Sequence, residues 1–321
     1  MKAVIAIDSF KGHMSAEEAA EAAAEALRGR FGRETLSEVD ILPASDGGEG
    51  FARIVTAALG GVTVTTDAHD PLGRPITASY GFCRDSATAV IECAAASGLT
   101  LLTDSELDPM RASSFGTGEL IADAVRRGAR DIYVGLGGSA TVDGGLGLLE
   151  ALDGVQGVAG CRLTAVCDVE ATFCGPQGAA AVYGPQKGAT PEQVPVLDER
   201  LRLLAARYRA VLGRDPLTRK GAGAAGGMAG AIWAALGGDI RPGADAVLDI
   251  LRFEERLTGA GIVVTGEGHL DAQTFQGKLP YVVARRAKAF DPGIKVIAYV
   301  GISDFSGPTP PFDEIICRDP S

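Results

Sequence analysis

Residues 131–147, DIYVGLGGSATVDGGLG, carry the pattern from which the rest of the chain is read. Ile132, Tyr133 and Val134 form a short apolar, β-branched and aromatic run of the kind that makes a buried strand. The run breaks into a loop holding glycines 135, 137, 138, 144, 145 and 147, with Ser139, Thr141 and Asp143 between them. Glycine has no Cβ, so its main-chain N–H groups can approach a phosphate closely. Ser and Thr hydroxyls add donors, and a helix beginning behind the loop would favour an anion there. The plainer reading is a tight turn that needs positive φ, but so many glycines and polar residues exceed that need. Gly137, Gly138, Ser139, Thr141, Asp143 and Gly144 are therefore expected to form an anion cradle. Residues 135–140, GLGGSA, also fit the loose dinucleotide fingerprint G-x-G-x-x-A, a weak signal by itself.

Working outward, both ends of the chain show uninterrupted apolar strands. Residues 3–7 precede Asp8-Ser9-Phe10-Lys11-Gly12, and Ser15 with Glu18 forms a capping box opening an Ala-rich helix to about residue 28. Residues 39–42 lead into Ser45-Asp46-Gly47-Gly48-Glu49-Gly50 and a helix over 51–59. Near the other end, 262–264 precede Thr265-Gly266-Glu267-Gly268-His269-Leu270-Asp271-Ala272-Gln273-Thr274, then Gly277-Lys278 and a helix from Pro280. Further strands are expected over 296–300 and 314–317. Continuous apolar strands suit a parallel sheet covered on both faces. In such sheets ligands bind at the carboxyl ends of the strands.

The middle has another texture. Residues 62–66 alternate, 71–75 (PLGRP) turn, and 76–81 resume, which predicts a hairpin. Short strands are expected over 88–92 and 164–168, and a capped helix after Gly184-Pro185-Gln186-Lys187-Gly188 runs to about 212. The glycine-dense GAGAAGGMAG at 221–230 suits close helix packing and ligand approach equally. The economical architecture is α/β with two domains. A parallel-sheet, Rossmann-like α/β/α domain is formed by both chain ends, 1–62 with 251–321, and a mixed α/β domain is inserted at 63–250.

Composition narrows the function. A length of 321 residues suits about two domains. With 46% hydrophobic but only 6% aromatic residues, the cores should be built from Ala, Val, Leu and Ile. The formal net charge of −11 argues against nucleic acid or an anionic membrane surface as a partner. An anionic ligand would then need positive charge gathered locally, and lysines 11, 187, 220 and 278 each adjoin a glycine. Six cysteines show no C-x-x-C pair, which disfavours zinc and a disulfide framework and points to reduced thiols in a cytoplasmic protein. No run approaches the ~18 apolar residues of a membrane span. A homodimer is compatible with the sequence but not specified by it.

Three loops share one design, carboxylates with glycine and often lysine after an apolar strand: Asp8 with Lys11, Asp46 with Glu49, and Glu267 with Asp271 and Lys278. Each acid alone suits a helix cap or turn. On neighbouring parallel strands they would converge on one edge, where carboxylates accept a proton or hold Mg²⁺ and lysines neutralise phosphate. Asp8, Lys11, Asp46, Glu49 and Lys278 are the catalytic candidates, and Glu267 and Asp271 the metal-facing ones. No G-x-x-x-x-G-K-[ST] motif, G-x-S-x-G elbow or histidine triad pattern is present.

These loops, with Gly137-Gly138-Ser139-Ala140-Thr141 and Gly184-Pro185-Gln186-Lys187-Gly188-Ala189, resemble the bacterial class I glycerate kinases, collinearly from residue 1 to about 301. The resemblance implies ATP-dependent, Mg²⁺-assisted phosphorylation of a glycerate hydroxyl, more often to the 2-phosphate than the 3-phosphate. It implies a cleft between an α/β domain and an inserted domain. Lys187, Gln273 and Thr274 join the loop at 137–144 as expected nucleotide contacts. The chain departs from the family at Val142, where Asn is usual, at Glu170-Ala171 after Asp168-Val169, where Asn-Pro is usual, and in a shortened segment between 152 and 163. Two other readings stand beside this one. An NAD(P)-dependent oxidoreductase would use the G-x-G-x-x-A loop, although no acidic residue follows about 20 positions on at a strand end. A non-catalytic nucleotide- or glycerate-binding relative is suggested by Val142 and Glu170.

Overall fold

The apolar runs at the two chain ends come together in one sheet. The computed structural model describes residues 1–10, 13–32, 34–45, 47–48 and 50–318, the side chain of Gln276 aside. The chain forms two compact units, Met1–Asp46 with Pro242–Ser321 and Gly47–Arg241. In chain order the strands begin with β1 (Lys2–Ile7), β2 (Glu38–Pro43), β3 (Val62–His69), β4 (Pro75–Cys83) and β5 (Thr88–Glu92). There follow β6 (Asp131–Gly135), β7 (Arg162–Val166), β8 (Asp239–Arg241) and β9 (Ala260–Gly266). The last are β10 (His269–Leu270), β11 (Lys295–Val300), β12 (Ile302–Ser303) and β13 (Glu314–Cys317).

In the unit made by the chain ends, the sheet order is β13-β11-β9-β1-β2, with every pair parallel. Ala3, Val4, Ile5, Ala6 and Ile7 are all fully buried, as strands covered on both faces require. Helix Ala16–Phe31 covers one face: Ala19, Ala20, Ala23, Ala24 and Leu27 recur at helical spacing and pack with Ala3, Ile5, Ile7, Ile262 and Val264. Its capping box forms as read, with Ser15 Oγ accepting from Glu18 N at 3.2 Å and Glu18 Oε2 from Ser15 N at 2.8 Å. The helix continues three residues past the Ala-rich pattern, to Phe31, where Gly32 ends it with φ 75°. Helix Leu279–Phe290 packs against β1, β9 and β11.

The central unit carries a six-stranded mixed sheet ordered β3-β4-β5-β6-β7-β8. The first three strands are antiparallel and the rest parallel. The β3–β4 hairpin turns where PLGRP predicts it. Asp70 Oδ1 holds the turn by accepting from Leu72 N and Arg74 N, at 2.8 and 2.9 Å. The division of the chain differs from the expected 63 and 250. Helix Phe51–Ala58 packs on β3, β4 and β5, and Ala52 N donates to Glu92 Oε1 at 2.8 Å, so the central unit begins at Gly47 and ends at Arg241.

Candidate active site

Parallel pairing places the carboxyl ends of β1, β2 and β9 on one edge. Ile7 stands level with Pro43 and Gly266. Asp8 N donates to Gly266 O at 3.3 Å and Ala44 N to Ile7 O at 3.1 Å, so the loops start from a shared rim. Asp8, after β1, and Glu267, after β9, therefore leave the sheet side by side. Lys11, Asp46 and Glu49 lie outside the described residues.

The loop after β9 folds back on itself. Glu267 Oε1 accepts from Thr274 Oγ1 at 2.5 Å, and Oε2 accepts from Lys278 Nζ at 3.3 Å. Lys278 also lies 3.5 Å from Asp271 Oδ1, so one ammonium serves two carboxylates. Asp271 Oδ1 accepts from Gln273 N at 2.8 Å and Thr274 N at 3.2 Å. The two acids are driven apart. Burial raises the Glu267 pKa against the pull of Thr274 and Lys278. For Asp271 the amides of Gln273 and Thr274, with Lys278, outweigh burial and lower it. Such divergence between neighbouring carboxylates is typical of sites that handle protons and metal. Phe275 anchors the loop, packing edge-on against Phe305, Tyr281 and Phe312 with centroids 5.5, 5.8 and 6.0 Å away. Beyond it, β10 pairs with β12 and His269 Nε2 meets Asp304 Oδ1 at 2.8 Å, which raises the histidine pKa.

In the central unit, the loop after β6 turns most of its polar groups onto the chain itself. Asp143 faces the chain's own donors: Oδ2 accepts from Ser114 N (2.8 Å), Ser114 Oγ (2.7 Å) and Gly147 N (3.2 Å), and Oδ1 from Gly145 N at 3.0 Å. The amides at the start of helix Leu146–Leu152, expected to favour a bound anion, are thus held by this carboxylate. That also removes the helix-start pyrophosphate site an oxidoreductase reading needs. Thr141 is fully buried and Ser139 nearly so, and both meet Lys187 rather than solvent. Gly144 is buried, its carbonyl accepting from Tyr208 Oη at 3.0 Å. Lys187 itself is buried, and the Thr274 hydroxyl is turned inward onto Glu267. Each of these residues is thus engaged by a partner within the chain.

Gly137 and Gly138 are exposed, as a cradle needs. The N–H groups of Gly137, Gly138 and Ser139 donate to no other group among the described residues. The loop is pinned on its flank by Leu99 N donating to Gly138 O and Ala140 N to Ser97 O, at 2.8 and 2.9 Å. Gln273 is exposed too. The glycine-dense 221–230 segment resolves in favour of packing. Gly144 N donates to Gly226 O at 2.9 Å, and a Cβ at Gly226 would stand 1.9 Å from Thr141 O. Ser114, fully buried, is the supporting residue that sequence reading missed; its place in SSFGTG before a helix was the available signal.

A parallel sheet made by both chain ends, with paired carboxylates and a lysine on its carboxyl edge, fits an α/β phosphotransferase. The chain belongs to the glycerate kinase family, whose sequence profile matches residues 3–159 and 154–307. It is 39% identical to the glycerate kinase of Bacillus subtilis (strain 168), across 94% of this chain and 85% of that one. It is 38% identical to the glycerate 2-kinase of Escherichia coli (strain K12), across 90% and 83%. Among solved structures, one provisionally assigned as glycerate kinase 2 from Salmonella typhimurium LT2 superposes with a TM-score of 0.88 at 37% identity, covering 99% of this chain and 90% of that one. The two matched profile segments meet at 154–159, in the short connection between helix Leu146–Leu152 and β7 where the sequence reads as shortened.

Proposed function

We propose that the chain phosphorylates D-glycerate with ATP as donor, giving 2-phosphoglycerate, in the cytoplasm. The observation that carries this reading is the cluster of Lys278, Glu267 and Asp271 on the sheet edge beside Asp8. In that arrangement Lys278 is held between two acids and can pass to a phosphate or carboxylate that outcompetes them. Asp8 or Asp46 would orient or deprotonate the attacking hydroxyl, with Lys11 binding a phosphate or the substrate carboxylate and Glu49 a further catalytic candidate. The exposed amides of the 137–139 loop would take nucleotide phosphates, with Gln273 a further contact from its own loop.

Two carboxylates supply the hard oxygen donors Mg²⁺ prefers, and this ion is commonly held by one or two protein carboxylates together with phosphates. Glu267 and Asp271 would hold the ion, which when bound neutralises charge on the transferring phosphoryl group. Thr274 keeps Glu267 oriented throughout.

Purified protein given ATP, Mg²⁺ and D-glycerate should form ADP and a product that enolase consumes without a mutase. Lys278→Ala and Asp46→Ala should each lower turnover by at least ~100-fold, as loss of an electrostatic or acid–base group does, with melting unchanged. Undiminished turnover in both variants, or a product enolase ignores, overturns the assignment of roles or of the phosphorylated hydroxyl respectively.

A further inference from the structure

Directly beneath the exposed glycines of the 137–139 loop lies a buried cation. Lys187 is 3% exposed, and its Nζ donates to Ser139 Oγ and to Thr141 O, each at 2.8 Å. It ends the short turn Pro185–Lys187, and the next residue, Gly188, is pressed so closely on Leu107 that a Cβ would lie 2.4 Å from its carbonyl oxygen. The titratable groups facing the ammonium are Cys93, after β5, and Asp143, after β6. The Cys93 thiol reaches Gly137 O at 3.5 Å and is pushed up to about 12 by burial, so it is neutral. Asp143 is committed to Ser114 and the loop amides. Among the described residues no carboxylate forms an ion pair with Lys187.

Burying a cation without a direct counter-charge is costly, and a methionine would fill the same volume without that cost. We propose that Lys187 is the positioning residue of the anion loop. Its ammonium fixes the loop through Ser139 and Thr141, and supplies from below the positive potential met by a phosphate on the exposed face. The proposal rests on the reading that residues 137–139 receive nucleotide phosphates. In a chain of net charge −11, one cation sheltered from solvent acts across a single layer of backbone with little screening. Burial brings the Lys187 ammonium down to about 8, so the charge is present at neutral pH and is lost as pH rises through that value.

The test measures ADP binding in the presence of Mg²⁺ by titration calorimetry from about pH 6.5 to 9.5, on the full chain. Wild type should lose about tenfold in affinity as pH rises through the ammonium's range, the size expected for one charge at an effective dielectric of ~20. Lys187→Met should bind about tenfold more weakly than wild type at neutral pH, with no alkaline decline, and should raise KM for ATP but not for glycerate. If Lys187→Met does not fold, the wild-type profile decides alone: affinity constant across the range overturns the proposal. Gly137→Asp places a carboxylate on the outer face of the loop, where an added Cβ would make only ordinary contact, 3.4 Å from Gly48 Cα. Weakened binding in Gly137→Asp with unaltered binding in Lys187→Met overturns the role of Lys187 and leaves the phosphate loop standing. Unaltered binding in Gly137→Asp overturns both.

Discussion

Replacing Asp143 should separate a structural carboxylate from a ligand-facing one. Its four hydrogen bonds tie two regions of the central unit: Ser114, in front of helix Phe115–Arg126, and the first amides of helix Leu146–Leu152. Ser114 Oγ passes the tie on by accepting from Leu148 N at 2.9 Å. Asp143→Ala leaves several donors without a partner. With ~1.5–3 kcal/mol net for each bond to a charged group, and strong non-additivity within one network, the loss should be about 3–5 kcal/mol. Asp143→Asn, although isosteric, should cost nearly as much. Its NH₂ must face either the three donors on the Oδ2 side or Gly145 N on the other. For a unit of this size about 3–5 kcal/mol lowers the melting point by roughly 10 °C. Calorimetry resolving the unfolding of the central unit measures the effect. If Asp143→Asn melts within a degree or two of wild type, these bonds do not hold the loop. Nucleotide binding lost at unchanged stability would return Asp143 to the ligand.

Two further outcomes follow from the same geometry. Because burial raises the Glu267 pKa above 4.5, its stabilising contribution is present in full below that value and is lost as pH rises through the folded-state pKa. Glu267→Gln should remove this decline, so that urea midpoints of variant and wild type diverge in the variant's favour as pH rises above 4.5, while turnover falls; parallel midpoints would contradict the burial. Gly226 has φ 67° and no room beside Thr141 O, so Gly226→Ala should cost at least ~3 kcal/mol and distort the anion loop; a wild-type melt would refute it.

What sequence could show was local. The capping box of Ser15 and Glu18, the PLGRP hairpin and the continuous strands of the chain ends each depend on neighbours a few residues away, and each formed as read. The polar residues of the cradle were harder because their partners are remote. Nothing in residues 139–143 indicates that Ser114 will claim Asp143, or that Lys187 will rise under Ser139 and Thr141. Nothing in the loop's sequence indicates that the Thr274 hydroxyl will be held by Glu267 seven residues earlier. The glycines of 221–230 carry no side chain to report their purpose, and only the backbone of residues 141–144 explains them. The boundary moved for the same reason: helix Phe51–Ala58 follows β2 in sequence but buries its apolar face on the central sheet.

The pairing of β1 with β9 also bears on how the chain is made. On a ribosome, β1 and β2 emerge first, and the flank of β1 stays uncovered until Ala260–Gly266 has left the exit tunnel. The central unit, contiguous in sequence, can complete itself meanwhile. Until then the nascent chain carries an open, largely apolar strand edge, the kind of surface that invites pairing between neighbouring polysomal chains.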